Sequence, residues 1–141
     1  MRALSLRRIS KKARKRADEA RPIRAALLAE HRECQICGAS PRRPHRGLPL
    51  GCSALAVHEI ADGPSRQACL DKRFGCLVVC WACNSGCLKD ALAWPESKQL
   101  AVLKRDRPQD FDLAAYNMLV NPRAKDRITV AEVDGWKDSV C

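Results

Sequence analysis

The stretch CLVVCWACN, residues 76–84, runs from a short apolar segment straight into two cysteines two residues apart, with an asparagine fused to the second. The apolar half reads as a buried strand, and the asparagine opens a segment of helical spacing, SGCLKDALAW, in which Leu88 and Leu92 share a face and which stops before Pro95. A strand that ends in a cysteine knuckle and feeds a helix is therefore expected here. The role of Asn84 depends on what lies upstream.

Upstream stands a second pair of the same spacing, Cys34-x-x-Cys37, followed by Gly38. Four thiolates at tetrahedral corners suit zinc, and each two-residue gap lets one tight turn aim both sulfurs at the same ion. The expectation is a structural zinc held by Cys34, Cys37, Cys80 and Cys83. Disulfides are the competing reading. No apolar signal-peptide core opens the sequence and no apolar stretch approaches the length a bilayer requires, which predicts neither secretion nor a membrane span and points to a reducing compartment. Cys76, Cys80, Cys83 and Cys87 form another possible local set, although it leaves Cys34 and Cys37 without partners. Cys52, Cys69 and Cys141 carry no spacing argument and read as small apolar residues or incidental thiols.

The chain is 141 residues long with nine cysteines, three tryptophans, two phenylalanines and one tyrosine. So few bulky aromatics leave a small core, which makes a staple necessary. The net charge is +10, and residues 1–24 carry ten basic side chains against Asp18 and Glu19, an excess of eight. Such a block repels itself and finds its counterion in a polyphosphate backbone, so nucleic acid is the favoured partner. Arg7, Arg8, Lys11, Lys12, Arg14, Lys15 and Arg16 are the arm's candidate phosphate contacts. A solvated tail and an Arg-rich targeting peptide are the alternatives.

Between arm and knuckle, KKARKRADEA is a weak helix former, whereas Pro22 is suited to open a helix over PIRAALLAEHR with Ile23, Ala26 and Leu27 on one stripe. PRRPHRGLPLG has no usable period and reads as an exposed basic loop, with Arg42, Arg43 and Arg46 as further phosphate contacts. SALAVHEI reads as a strand, ADGPSRQACLDKRFG as an irregular crossing with one helical turn, and CLVVC as the second strand of a hairpin. Beyond Pro95, PESKQLAVLKRD, DFDLAAYNMLV and TVAEVDGW read as short helices, the last opened by a capping box at Thr129 and Glu132. Within VHEI, His58 arrives where a strand would otherwise stay apolar. A core histidine satisfied by the backbone is the plain reading, but Glu59 stands beside it and the two cysteine pairs bracket the segment.

This order of Cys-x-x-Cys, a strand ending in a histidine, a second polar group and Ile60, and then Cys-x-x-Cys-Asn opening a helix, resembles the HNH nucleases, and in particular their phage recombination endonuclease VII branch. The resemblance covers residues 34 to about 94. It implies an α+β chain with a zinc-stapled ββα-metal core of treble-clef type at 34–94, a basic arm and helix at 1–33 and a helical extension at 95–141. It also implies a metal-dependent endonuclease acting on DNA in the cytoplasm of a bacterial or phage-infected cell, with no membrane partner. His58 and Asn84 would hold a catalytic Mg2+ or Mn2+, and Glu59 would be the general base. The chain departs from the pattern in three ways: Glu59 replaces an imidazole and is a weaker base, Gly75 stands where an asparagine often precedes the second strand, and the basic loop lengthens the gap between knuckles. A zinc-stapled DNA-binding protein without catalysis, and a structural adaptor that binds protein through its C-terminal helices, are the other classes. Trp81 reads either as a cover for the zinc or as a stacking surface for a base.

Overall fold

The computed structural model describes residues 10–44, 47–84 and 94–137, an α+β arrangement built on one antiparallel hairpin. Strand β1 (Leu55–Glu59) pairs with β2 (Cys76–Cys80) in the register Leu55 to Cys80, Val57 to Val78 and Glu59 to Cys76. Every residue of β2 is buried, because the hairpin is covered on both faces and neither set of alternate side chains meets water. That double burial is why CLVVC shows no polar alternation.

The covering layer on one face is helix α1 (Lys11–Glu30), whose Leu27 packs with Val57, Cys76 and Val78. The expected helix begins at Pro22, with only weak helicity before it; the observed helix is continuous from Lys11 with Pro22 inside it. The proline ring removes one backbone donor. Compensation comes from the Ser10 hydroxyl, which accepts from the Ala13 amide at 3.1 Å, from the Arg21–Asp18 ion pair at 2.8 Å, and from burial of Ala20 and Leu27. Arg24 extends the docking by donating to the Val57 carbonyl at 3.0 Å.

On the other face Leu77 and Val79 join a larger core that draws in Leu100, Val102 and Leu103 of α4 (Glu96–Asp106), Tyr116 of α5 (Leu113–Val120) and Val133 of α6 (Val130–Asp134). The three downstream helices appear where expected, and α6 carries both bonds of its capping box, between Thr129 and Glu132. The crossing between the strands contains the short helix α2 (Ser65–Ala68) and a 3-10 turn at Arg73–Gly75. Gly75 has a local cause: a Cβ there would lie 3.0 Å from the Cys69 sulfur. Helix α3 (Trp81–Asn84) follows β2 without a break, and the Trp81 amide donates to the Ala54 carbonyl at 2.9 Å. The helix expected over SGCLKDALAW, with Leu88 and Leu92, lies outside the described residues up to Trp94, as do Cys87 and Cys141.

Two arginines tie the layers together. Arg107 is fully buried and its Nη2 donates to the carbonyls of Cys76 and, at 3.3 Å, Arg73. Arg73 chelates Asp110 at 2.9 and 3.0 Å and reaches Glu30 at the end of α1.

Leu27→Ala is expected to cost about 2–5 kcal/mol, because it opens a cavity in the small cluster that holds α1 on the hairpin. Denaturant unfolding of the zinc-loaded protein reads the loss, and Ala29→Ser on the exposed side of the same helix serves as the control, expected within about 0.5 kcal/mol of the parent.

Candidate functional site

The two knuckles meet. The sulfurs of Cys34, Cys37, Cys80 and Cys83 all lie within 4.8 Å of one another, and Cys37 and Cys80 are 3.7 Å apart. Ligands at the usual zinc–sulfur distance on a tetrahedron would stand about 3.8 Å apart, so the group fits a structural metal such as zinc. None of the four is in a disulfide, nor are Cys52, Cys69 and Cys76, and the disulfide reading is not realised among the described cysteines. Cys76 faces the α1 side of the sheet and points its thiol at the Cys69 carbonyl, 3.2 Å away, so it stands apart from the four-cysteine group.

Local backbone chemistry explains the convergence. In the first knuckle the Gly38 amide bonds to the Cys34 carbonyl and the Cys34 amide to the Ala39 carbonyl, both at 2.8 Å, and the reversal places Gly38 at φ +77°, where a glycine carries no Cβ penalty. Gln35 then docks this turn on the free edge of β2. Its amide donates to the Val78 carbonyl and its side-chain oxygen accepts from the Val78 amide, both at 2.8 Å. The four sulfurs compete for negative charge: a hydrogen bond from Cys83 draws the Cys34 thiol down to about 4, and the same bond pushes Cys83 up. Burial raises Cys37 to about 12. A divalent cation resolves that competition, since it favours the thiolate form at every ligand.

At the other end of the knuckle, β1 presents His58 and Glu59 to different neighbours. The His58 ring is buried, and its Nε2 lies 2.8 Å from Gln99 Oε1 on α4. Its Nδ1 is buried with no hydrogen-bond partner among the described residues. Burial lowers the His58 pKa, against opposing contributions from the Gln99 bond, the Glu59 charge and the approach of the Asn84 side chain. Asn84, half-buried at the end of α3, is thus brought to the same ring. A cavity of about 190 Å³ opens here, lined by His58, Glu59, Asp62, Arg66, Glu96 and Gln99.

Glu59 is held differently. Its carboxylate pairs with Arg24 of α1 at 2.7 Å and with Arg66 at 3.3 Å. Burial alone would raise its pKa; the hydrogen bond from its own backbone amide and the two arginines outweigh burial and lower it. The Glu59 carboxylate is therefore ionised and doubly neutralised.

Of the basic residues, Lys11, Lys12, Arg14, Lys15 and Arg16 occupy the first turns of α1, where all but the half-buried Ala13 between them are exposed. Arg42 and Arg43 are exposed beside the first knuckle, where with Arg32 and Leu55 they line an open groove of about 770 Å³. Arg7, Arg8 and Arg46 lie outside the described residues. The Trp81 ring is 46% exposed. No helix among the described residues is long and apolar enough to cross a membrane. Sequence reasoning missed Gln35, Gln99, Arg24 and Arg66. None has a local signal, because each matters only through a partner on a distant element.

The fold and the site together define a small α+β chain with a four-cysteine group able to hold a metal. No family model, curated protein or solved structure matches the chain.

Zinc-loaded protein is expected to contain one zinc per chain, and chelation or Cys83→Ser is expected to unfold the hairpin, because metal binding at such a group contributes directly to folding. Elemental analysis with circular dichroism checks this. A folded, zinc-free protein with disulfides at these four positions would contradict it.

Proposed function

We propose that the chain is a metal-dependent endonuclease of the HNH type that hydrolyses phosphodiester bonds in DNA. The observation that carries this reading is the junction of β1 and α3, where a buried imidazole with an unpartnered Nδ1 and the Asn84 amide meet beside a small cavity, directly after the four-cysteine knuckle. An imidazole nitrogen and an amide oxygen form a donor pair suited to Mn2+ or Mg2+. When bound there, such a cation would supply Lewis-acid stabilisation of the charge that develops on the phosphodiester.

The protein's own residues do the rest. Asn84 is oriented by the knuckle below it, His58 by its strand and by Gln99, and the dry surroundings keep the imidazole neutral and able to donate a lone pair. Glu59 is the candidate proton acceptor. It becomes competent when Arg24 or Arg66 turns to a DNA phosphate, since each arginine released returns basicity to the carboxylate. The exposed cations of α1 and of the loop, Arg42 and Arg43 included, then track the backbone on either side.

One observation favours a second reading. With Glu59 neutralised by two arginines, the same scaffold also suits a zinc-stapled DNA-binding protein without catalysis.

Incubation of the zinc-loaded protein with supercoiled plasmid in Mg2+, Mn2+ or EDTA separates the two. Metal-dependent nicking is expected, with Asn84→Ala losing it while keeping zinc and most DNA affinity. Glu59→Gln is expected to slow nicking about 100-fold or more with normal binding; an unchanged rate would move proton acceptance to another group. If the parent binds DNA but never nicks it, the second reading stands.

Replacing Lys11, Lys12, Arg14, Lys15 and Arg16 together by glutamine is expected to weaken DNA binding and flatten its salt dependence, by up to about 0.9 in the log–log slope for each phosphate that the helix no longer neutralises. An unchanged slope in salt-titrated binding would remove α1 from the interface.

A further inference from the structure

Gln99 is nine-tenths buried or more and sits between two groups that together leave it no rotational choice. Its side-chain nitrogen is 2.9 Å from the Trp94 carbonyl, and its side-chain oxygen is 2.8 Å from His58 Nε2. A carbonyl oxygen only accepts, so the end of the amide that faces Trp94 must be the NH2. The end that faces His58 is then the oxygen, which also only accepts. His58 Nε2 must therefore carry a proton and donate it. In the neutral ring this leaves Nδ1 unprotonated, and Nδ1 is the atom that is buried without a partner among the described residues.

We propose that Gln99 is a positioning residue that sets His58 in its Nε2–H tautomer, so that Nδ1 is the lone pair His58 offers to a divalent cation beside Asn84. The choice of an amide rather than a carboxylate has a physical consequence. A carboxylate at this distance would also accept from Nε2, but its charge would favour the imidazolium, which has no lone pair to give. A neutral acceptor, itself anchored by a backbone carbonyl, selects the tautomer without that penalty. The anchor matters as much as the acceptor: without Trp94 the amide could turn over and present its NH2, which would demand the opposite tautomer. Outer partners of this kind act on a ligand by fixing its tautomer and orientation. The assignment of a metal to Nδ1 rests on the function proposed above; the tautomer itself does not.

The test uses the full-length, zinc-loaded protein with 15N-labelled histidine, at a pH where the rings are neutral. Two-bond 1H–15N correlations distinguish a protonated from an unprotonated ring nitrogen, and the chain has only three histidines, so the His58 signals are assigned by their loss in His58→Asn. The parent is expected to show Nε2 protonated and Nδ1 bare. Gln99→Leu is expected to give a mixture of tautomers and to bind Mn2+ about 10- to 100-fold more weakly by titration, while Gln99→Glu, which keeps an acceptor, retains the Nε2 proton. Zinc content and thermal midpoint establish that each variant is folded, and Gln99→Met replaces the leucine variant should that one fail to fold. An Nδ1–H ring in the parent, or a tautomer indifferent to the loss of Gln99, would overturn the proposal whatever the activity. If the tautomer responds as expected but no form binds Mn2+ or nicks DNA, then His58 is not a metal ligand and the endonuclease reading falls, while the control of the ring by Gln99 stands.

Discussion

Four thiols gathered within 4.8 Å of one another are the constraint on which the rest of this structure depends. They come from two knuckles joined by a long intervening segment, and a cation shared among them would offset their mutual repulsion as thiolates. Once they do gather, the turn at residues 34–38 is pressed on the outer edge of β2 and the start of α3 is fixed at its end. Gln35 completes the arrangement by satisfying both polar groups of Val78. A two-stranded hairpin is marginal by itself because each strand leaves an edge unpaired. Here β1 takes one edge of β2 and the knuckle takes part of the other, so the four-cysteine turn acts as a substitute for a third strand.

The shortage of large side chains explains why the remaining stability comes from polar clamps. Arg107 is the largest fully buried side chain, and its guanidinium is directed at main-chain carbonyls at the start of β2 and in the turn before it. Arg73, beside it, reaches Asp110 and Glu30 and so joins the end of α1 to the segment after α4. Burying a guanidinium is costly, and the offset at Arg107 is partial: Nη2 meets the backbone carbonyls and Nη1 stands 3.3 Å from Asp110, while Nε has no hydrogen-bond partner among the described residues. The same device recurs at Arg24, which closes α1 on β1 through a carbonyl and a carboxylate together.

How much of this is legible in the sequence follows from the range of each interaction. The cysteine pairs, the CLVVC strand, the capping box at Thr129 and the three helices after Pro95 are local patterns, and they appear where those patterns place them. Helix α1 departs from its expected start: Pro22, a strong local signal for a helix opening, sits inside a helix that is capped by Ser10 and that buries Ala20 before the proline. Gln35 and Gln99 are illegible for another reason. An amide between two cysteines, or on the inner stripe of an amphipathic helix, carries no sign of the backbone group it will meet. Gly75, which has no local signal in the sequence, is explained by the Cys69 sulfur that would crowd a Cβ there.

The adjacent pair His58 and Glu59 shows what a strand can do that a composition cannot. Successive side chains leave a strand toward opposite faces, so two neighbours in sequence enter unlike environments. The histidine goes to the α4 side, where burial lowers its pKa against the opposing pull of the Gln99 bond. The glutamate goes to the α1 side, where two arginines keep it charged. One group is thereby left with a lone pair in a dry setting, and the other with a charge that is available only when its arginines find another anion. A polyanion is such a competitor, and α1 carries both the Arg24 that restrains Glu59 and, about two to four turns earlier, the exposed cations that would draw a polyanion in. In the proposed enzyme the helix that would supply the affinity also holds the carboxylate in check, so binding and the release of the base would be parts of one event.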